Sequence, residues 1–487
     1  MIPNPSDEIV SVGNIGSELT LVKQASAHMP INPETIPEDL IIAILEHLSA
    51  VDRRDLTQFA LLSKQVYHVT IPLLYRELDS RVRTSKNGTE HRIVHPSQIL
   101  LQKPEYFKYV RSVREQGMVG AFEPSLMPGC REALSRCTNL RSFTWNDNGH
   151  DTSNDADLLA YLDILQKLPI TELIIRTSSG ISDEVWDKLC EFRNLRKVAI
   201  WSLHGNPRVL QGWSEKLGDT LTDLELGRCA GVPATILVSV LSQLPNLQSL
   251  RLKGAPSNSI PEILSTLPKL VALDTEYFGS GLSINRYSDE PIAALKELTV
   301  RTSSVDAQGP QHLWSWIRRL IPYPSLESLT LNTFSTQGDF QMPRMFILDL
   351  AKTHQNTLKQ FTIDTVLLTL EDLQCLCTKF PLLEALSCSI AWCRDTDHIK
   401  EIIAHARNLR RMKLHVNWVR GPGVGSTYFS AVEAKDWMLM LGENSKLRVI
   451  VMGQVLYTGQ WVYHEKEDGT GEADFEVLRD VAHDSWI

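Results

Sequence analysis

One frame, LxxLxL, recurs from about residue 110 almost to the C-terminus, and no other feature of the chain constrains its fold as tightly. It reads LRSFTW from Leu140, ITELII from Ile170, LRKVAI from Leu195, LTDLEL from Leu221, LQSLRL from Leu247 and LVALDT from Leu270. It continues as LKELTV from Leu295, LESLTL from Leu326, LKQFTI from Leu358, LEALSC from Leu383, LRRMKL from Leu409 and LRVIVM from Leu447, with VRSVRE from Val110 as a degenerate first copy. Starts fall near 25 residues apart, with longer steps before 170, 326, 358 and 447. The closing residues of each frame alternate as in a strand, while the intervening stretches, such as SDEVWDKLCEF, PATILVSVLSQL and LEDLQCLCTKF, carry a helical period. One strand and one helix cannot bury their apolar faces alone, so the units must stack into a continuous curved solenoid.

Side chains alternate across a strand, so the frame leucines point to the core and the residues between them point away. This places Arg176, Trp201, Glu225, Arg251, Lys253, Arg301, Arg411 and Lys413 on the concave wall, as candidate substrate-binding residues. A tryptophan beside arginines and lysines has the composition of a protein-interaction hot spot. Taken together, the cations point to a partner with an acidic or phosphorylated segment. Two irregular stretches, Tyr277 to Glu290 and Asn417 to Ala434, interrupt the array, and residues 456–487 are expected to form a terminal hairpin and cap.

The N-terminal part reads differently. Residues 1–33 mix Pro, Ser, Asn and Gly and read as a flexible leader. Thr35-Ile36-Pro37-Glu38 then matches a capping box, followed by Leu40, Ile41, Ile44, Leu45 and Leu48 at helical spacing. A second helix is expected after Asp52, with Leu56, Phe59, Ala60 and Leu61. A third starts near Ser63 with Val66, Tyr67 and Val69, and Pro72 restarts the chain. Three helices in so short a stretch (34–79) make too small a core to stand comfortably alone, which points to a neighbour or a partner.

The segment IPEDLIIAILEHLSAVDRRDLTQFALLSKQVYHVTIPLLYREL resembles an F-box motif, in the form it takes in filamentous fungi. The resemblance implies docking onto the small Skp adaptor, and through it onto cullin and RING subunits. Carried onto the matching positions, the adaptor contacts fall to Ile36, Pro37, Ile41, Ile44, Leu45, Leu48, Leu56, Lys64 and Tyr67. The repeat array resembles leucine-rich-repeat proteins, whose period is about 20–29 residues. The implied fold class is α/β: a three-helix F-box module (34–79), a linker or helical cap (80–109), and a leucine-rich-repeat solenoid (110–455) with a concave parallel sheet and convex helices. The implied function is that of the substrate-recognition subunit of an SCF-type ubiquitin ligase. The alternative is a non-catalytic scaffold or sequestering protein acting outside a cullin ligase.

Composition narrows the partners. With 49 Lys+Arg against 58 Asp+Glu there is no global positive field for nucleic acid or anionic membranes, and a protein substrate is expected instead. Eight cysteines are too sparse for a disulfide scaffold and read as reduced core thiols, and no signal peptide or membrane span is visible, which points to cytoplasm or nucleus. No catalytic, cofactor-binding or metal-binding residues are expected. GPGVGST from Gly421 lacks the lysine of a phosphate-cradling loop, and Cys375 and Cys377 fall on different faces of a helix. His398 and His405, near Asp395 and Asp397, have no nucleophile or oxyanion donor beside them. The chain is read as non-catalytic.

Overall fold

The computed structural model describes residues 36–51, 53–84, 91–147, 155–278, 292–304, 310–333, 341–393, 395–418, 429–465 and 471–482. They fall into two compact units, one holding the N-terminal residues through Ile71 with Tyr463–Asp474, the other Pro72–Val462 with the segment from Phe475 onward.

In the first unit, α1 (Glu38–Val51), α2 (Arg53–Phe59) and α3 (Lys64–Leu74, which ends in the second unit) follow the expected helical periods. Glu38 and Asp39 sit in the first turn of α1, where carboxylates offset the partial positive charge of the helix start. Ser63 caps α3 by accepting from the Val66 N–H at 3.2 Å. Thr35 and Asp52, the two other expected caps, lie outside the described residues. Pro72 does not restart the chain. It lies inside the last turn of α3, where burial of Val66, Val69 and Ile71 offsets the missing hydrogen bond.

The second unit is built on one long sheet, whose last two strands run at one end into the Tyr463–Asp474 segment of the first. Its strands are β1 (Glu77–Asp79), β4 (Ser112–Gln116), β5 (Ser142–Asp147), β6 (Glu172–Thr177), β7 (Lys197–Ser202), β8 (Asp223–Leu226), β9 (Ser249–Leu252), β10 (Ala272–Phe278), β11 (Glu297–Ser304), β12 (Ser328–Thr333), β13 (Gln360–Leu368), β14 (Ala385–Cys393), β15 (Arg411–Trp418), β16 (Val449–Met452), β17 (Val455–Glu465) and β18 (Gly471–Val481), side by side in that order. A separate antiparallel pair, β2 (Arg81–Thr84) and β3 (His91–Val94), stands apart. From β1 to β16 all neighbours run parallel, and helices occupy most of the connections, as parallel crossovers require. The sheet therefore starts at Glu77, ahead of the Val110 frame. A three-residue strand is too short to show a period.

Register explains why the frame repeats. Leu173, Val198, Leu224, Leu250, Leu273, Leu298, Leu329, Phe361, Leu386, Met412 and Ile450 are aligned partner to partner across eleven strands. Every one of them is buried. The aliphatic residue that opens each frame is buried as well, just before its strand. Longer steps between frames hold longer connections, and residues 279–291, 334–340 and 419–428 lie outside the described set. The expected irregular stretch 417–434 is partly regular: β15 runs to Trp418, and a helix begins at Ala431 behind a capping box of Ser430 and Glu433. At the far end β17 turns back antiparallel on β16, and β18 lies beside it, which forms the expected hairpin.

One buried histidine makes the array sensitive to pH. His354 accepts from the Leu326 N–H through Nδ1 (3.4 Å) and donates through Nε2 to the Ile321 carbonyl (3.1 Å). Burial lowers its pKa below the ordinary 6.5, against the smaller effect of the Ile321 hydrogen bond. As pH falls through 6.5 the unfolded chain takes up a proton that the folded one refuses, so this stability is present above 6.5 and lost below it. The slope is at most one proton's worth, about 1.4 kcal/mol per pH unit. Denaturation midpoints measured from pH 7 to 5.5 should fall more steeply in the wild type than in His354→Gln, and equal slopes would exclude His354 as the cause.

Candidate functional site

The outward positions of β6 to β11 bring one aromatic ring and a set of opposed charges together. Trp201 on β7 pairs in register with Arg176 on β6. One row down, Ala199, Glu225, Arg251 and Asp274 align across β7 to β10. The indole lies against Gly227, just past the end of β8. A Cβ at that position would come within 2.3 Å of Trp201 Cδ2, so only glycine lets the ring lie where it does.

Charged groups hold the ring from several sides. Its Nε1–H donates to Glu225 Oε2 at 3.1 Å. The Arg251 guanidinium stands 4.7 Å from the ring centroid, and Arg176 and Lys253 stand 5.9 Å away, all within cation–π range. Arg176 and Arg251 lie 3.7 and 3.8 Å from Glu225. Arg251 also reaches Asp274 at 3.2 Å, and Arg301 donates to the same carboxylate. Burial pushes the Asp274 carboxyl above its usual range, against the pull of Arg301 and Arg251. Glu276 accepts from the Gly254 N–H at 2.7 Å.

This arrangement is a half-exposed polar network around a fixed aromatic plate, and it changes two parts of the sequence reading. Arg176, Arg251 and Arg301 already have carboxylate partners, so an acidic or phosphorylated segment would have to compete with Glu225 and Asp274. Nor do the eight candidates form one site. Arg176, Trp201, Glu225, Arg251, Lys253 and Arg301 gather on β6 to β11, whereas Arg411 and Lys413 are on β15, four strands or roughly 19 Å from β11. Arg411 instead borders an open groove of about 440 Å³ with Lys296, Glu327, Lys359 and Glu384. There Glu327 pairs with both Lys296 (3.3 Å) and Lys359 (2.6 Å). Asp274, Glu276 and Gly227 were missed as site residues. Asp274 could have been found, since it occupies the same place in its frame as Glu225 and Arg251 do in theirs. Gly227 could not, because its role depends on the ring of the neighbouring strand.

The adaptor candidates also separate by environment. Ile41, Leu45 and Leu56 are buried, Ile36 and Tyr67 half-buried, and Pro37 and Lys64 exposed, while the Leu48 side chain lies outside the described set. Of the isoleucine and leucine candidates whose side chains are described, Ile44 alone is open, at 50% exposure. Beside it in the sequence pattern, Leu40 (56%), Leu61 (78%) and Leu62 (61%) are exposed and were not among the candidates. All four are large aliphatic side chains that the described residues leave open to solvent.

Other chemical signals resolve into structure. Asp395 caps its helix by accepting from the His398 N–H at 3.1 Å, and His405 lies beyond the end of that helix at Ile403. Cys377 is buried and Cys375 half-exposed on the helix Leu370–Lys379. Among the described residues no three His, Cys, Asp or Glu are placed to hold a metal, and no helix is long and apolar enough to cross a membrane.

Comparison with known proteins gives one family match, over residues 34–80, to a family described as a protein of unknown function (DUF3760). No curated protein matches the chain. Among solved structures it is similar to the Rad7 and Elc1 complex in yeast, at 14% identity and a TM-score of 0.43, covering 79% of this chain and 95% of that one. It is also similar to the TLR13–ssRNA13 complex, at 12% identity and a TM-score of 0.37, covering 71% of this chain and half of that one.

Proposed function

We propose that this chain is a non-catalytic substrate receptor of an SCF-type ubiquitin ligase. In this reading the helical segment docks the Skp adaptor, and the Trp201 patch holds the protein to be ubiquitinated. The observation that carries it is the exposed aliphatic set Leu40, Ile44, Leu61 and Leu62, on a helical segment whose sequence resembles an F-box. Half to three-quarters of each of these side chains lies in water, which forfeits that share of the about 1.5–3 kcal/mol of full burial, a cost an apolar partner would recover. The long sheet supplies a second, separate surface with a preorganised aromatic centre, as a receptor that bridges two proteins requires. Its mechanism would be proximity: holding a target near the charged ubiquitin carrier raises the effective concentration of its lysines, with no bond chemistry on this chain.

The test is co-purification from cell extract of the full chain and of a version lacking residues 34–74, with the Skp adaptor and cullin as readouts. The deletion stops before Glu77, because β1 pairs with β4 and its loss would damage the sheet. Adaptor and cullin retained by the full chain alone are the expected result. Retention of neither overturns the reading, and adaptor without cullin would favour a scaffold outside the ligase.

A further inference from the structure

Three strands along the sheet from Trp201, four polar side chains meet in an apolar setting. His95 follows β3, Ser97 opens the helix Ser97–Gln102, Glu115 lies on β4, and Cys130 lies on the helix Met127–Arg136. His95 and Glu115 are 4% exposed, Ser97 3% and Cys130 1%. His95 Nε2 is 2.9 Å from Glu115 Oε2, while Nδ1 is 2.7 Å from Ser97 Oγ and 3.2 Å from Cys130 Sγ. Leu78, Leu100 and Val113 help to enclose a cavity of about 10 Å³ beside them.

Nδ1 also accepts from the Ser97 backbone N–H at 3.2 Å, so the ring carries its proton on Nε2, toward Glu115, and turns the bare Nδ1 to the Cys130 thiol. Burial lowers the His95 pKa, and the hydrogen bonds with Cys130 and Glu115 raise it. A thiol facing the open nitrogen of an imidazole that a carboxylate orients is an arrangement by which proteins make thiols nucleophilic. Burial pushes the thiols of Cys137, Cys229 and Cys377 up to about 12, and raises those of Cys190, Cys375 and Cys388.

We propose that Cys130 is a peroxide-sensitive modification site, at which a hydroperoxide converts the thiol to a sulfenic acid with His95 and Glu115 as positioning residues. The sulfur attacks one peroxide oxygen, and the S–O bond forms as the O–O bond breaks. Sulfur loses two electrons and the peroxide gains them. The displaced hydroxide takes the thiol proton, relayed through His95, and leaves as water, so that thiol and hydrogen peroxide become sulfenic acid and water. The product carries one added oxygen, and the adjoining cavity offers about the room of a single water.

The full-length protein would be exposed to hydrogen peroxide, quenched at intervals into denaturant containing dimedone, and the adducts mapped by peptide mass spectrometry. Cys130 is expected to gain the adduct about tenfold faster than the comparably buried Cys137, Cys377 and Cys388. Glu115→Gln and His95→Gln are each expected to slow Cys130 by about tenfold while the other cysteines keep their rates. The wild-type comparison stands even where a variant unfolds. A Cys130 rate no greater than those of the other buried thiols overturns the proposal, as does an unchanged rate in a folded His95→Gln.

Discussion

Ile44→Asp combined with Leu61→Asp should strip the adaptor from this chain and leave its unfolding transition in place. Both side chains are at least half exposed, so the folded state gives up little, and surface changes of this kind usually stay within about 0.5 kcal/mol. In the docked state each carboxylate would replace an apolar contact of about 1–2 kcal/mol and add the cost of desolvating a charge, which lowers affinity by roughly two orders of magnitude or more for the pair. Leu45→Asp should behave differently. Leu45 is 1% exposed, and the cavity alone costs about 2–5 kcal/mol before the charge is counted. That variant loses the adaptor together with its own helical fold and cannot report on docking. Circular dichroism melts beside a pull-down separate the two cases. An Ile44/Leu61 variant that still binds the adaptor would move the docking surface elsewhere.

Trp201→Ala should lose the target and keep the adaptor. Aromatic residues at the centre of interfaces carry about 2 kcal/mol or more, so target enrichment should fall roughly thirtyfold. Arg251→Glu should add to the loss, because it places a third carboxylate beside Glu225 and Asp274 and removes the cation nearest the indole. Gly227→Ala is the subtler test. It leaves every charge in place, yet its methyl group occupies space that Trp201 now fills, and the ring must move. Quantitative mass spectrometry of co-purifying proteins should therefore show the same proteins depleted by Gly227→Ala as by Trp201→Ala. If Gly227→Ala changes nothing, the orientation of the ring is irrelevant to binding and only the surrounding charges remain as candidates.

Much of this was legible in the linear sequence, for a local reason. The frame leucines at 195, 221, 247 and their counterparts repeat because each strand presents the same positions to the same core, so periodicity alone located the strands and the side that each residue faces. The helices at 38–51, 53–59 and 64–74 were readable from their apolar spacing in the same way. β1 and the β2–β3 pair were not, because segments of three or four residues complete no recognisable period.

What the sequence could not decide is which residues stand together, since that depends on register between strands and on packing between segments distant along the chain. Strand parity put Arg411 and Arg251 on the same side of the sheet, but only the strand order separates them. Residue type marked Arg176 and Arg251 as cations for an acidic partner, and only the alignment of Glu225 and Asp274 beside them shows their charge to be paired. The apolar stripe of the first helix was plain in the sequence, yet Ile44 and Leu45 are adjacent and chemically alike. Tertiary packing buried one and left the other in water, because a helix turns about 100° per residue and its neighbours cover only part of its circumference.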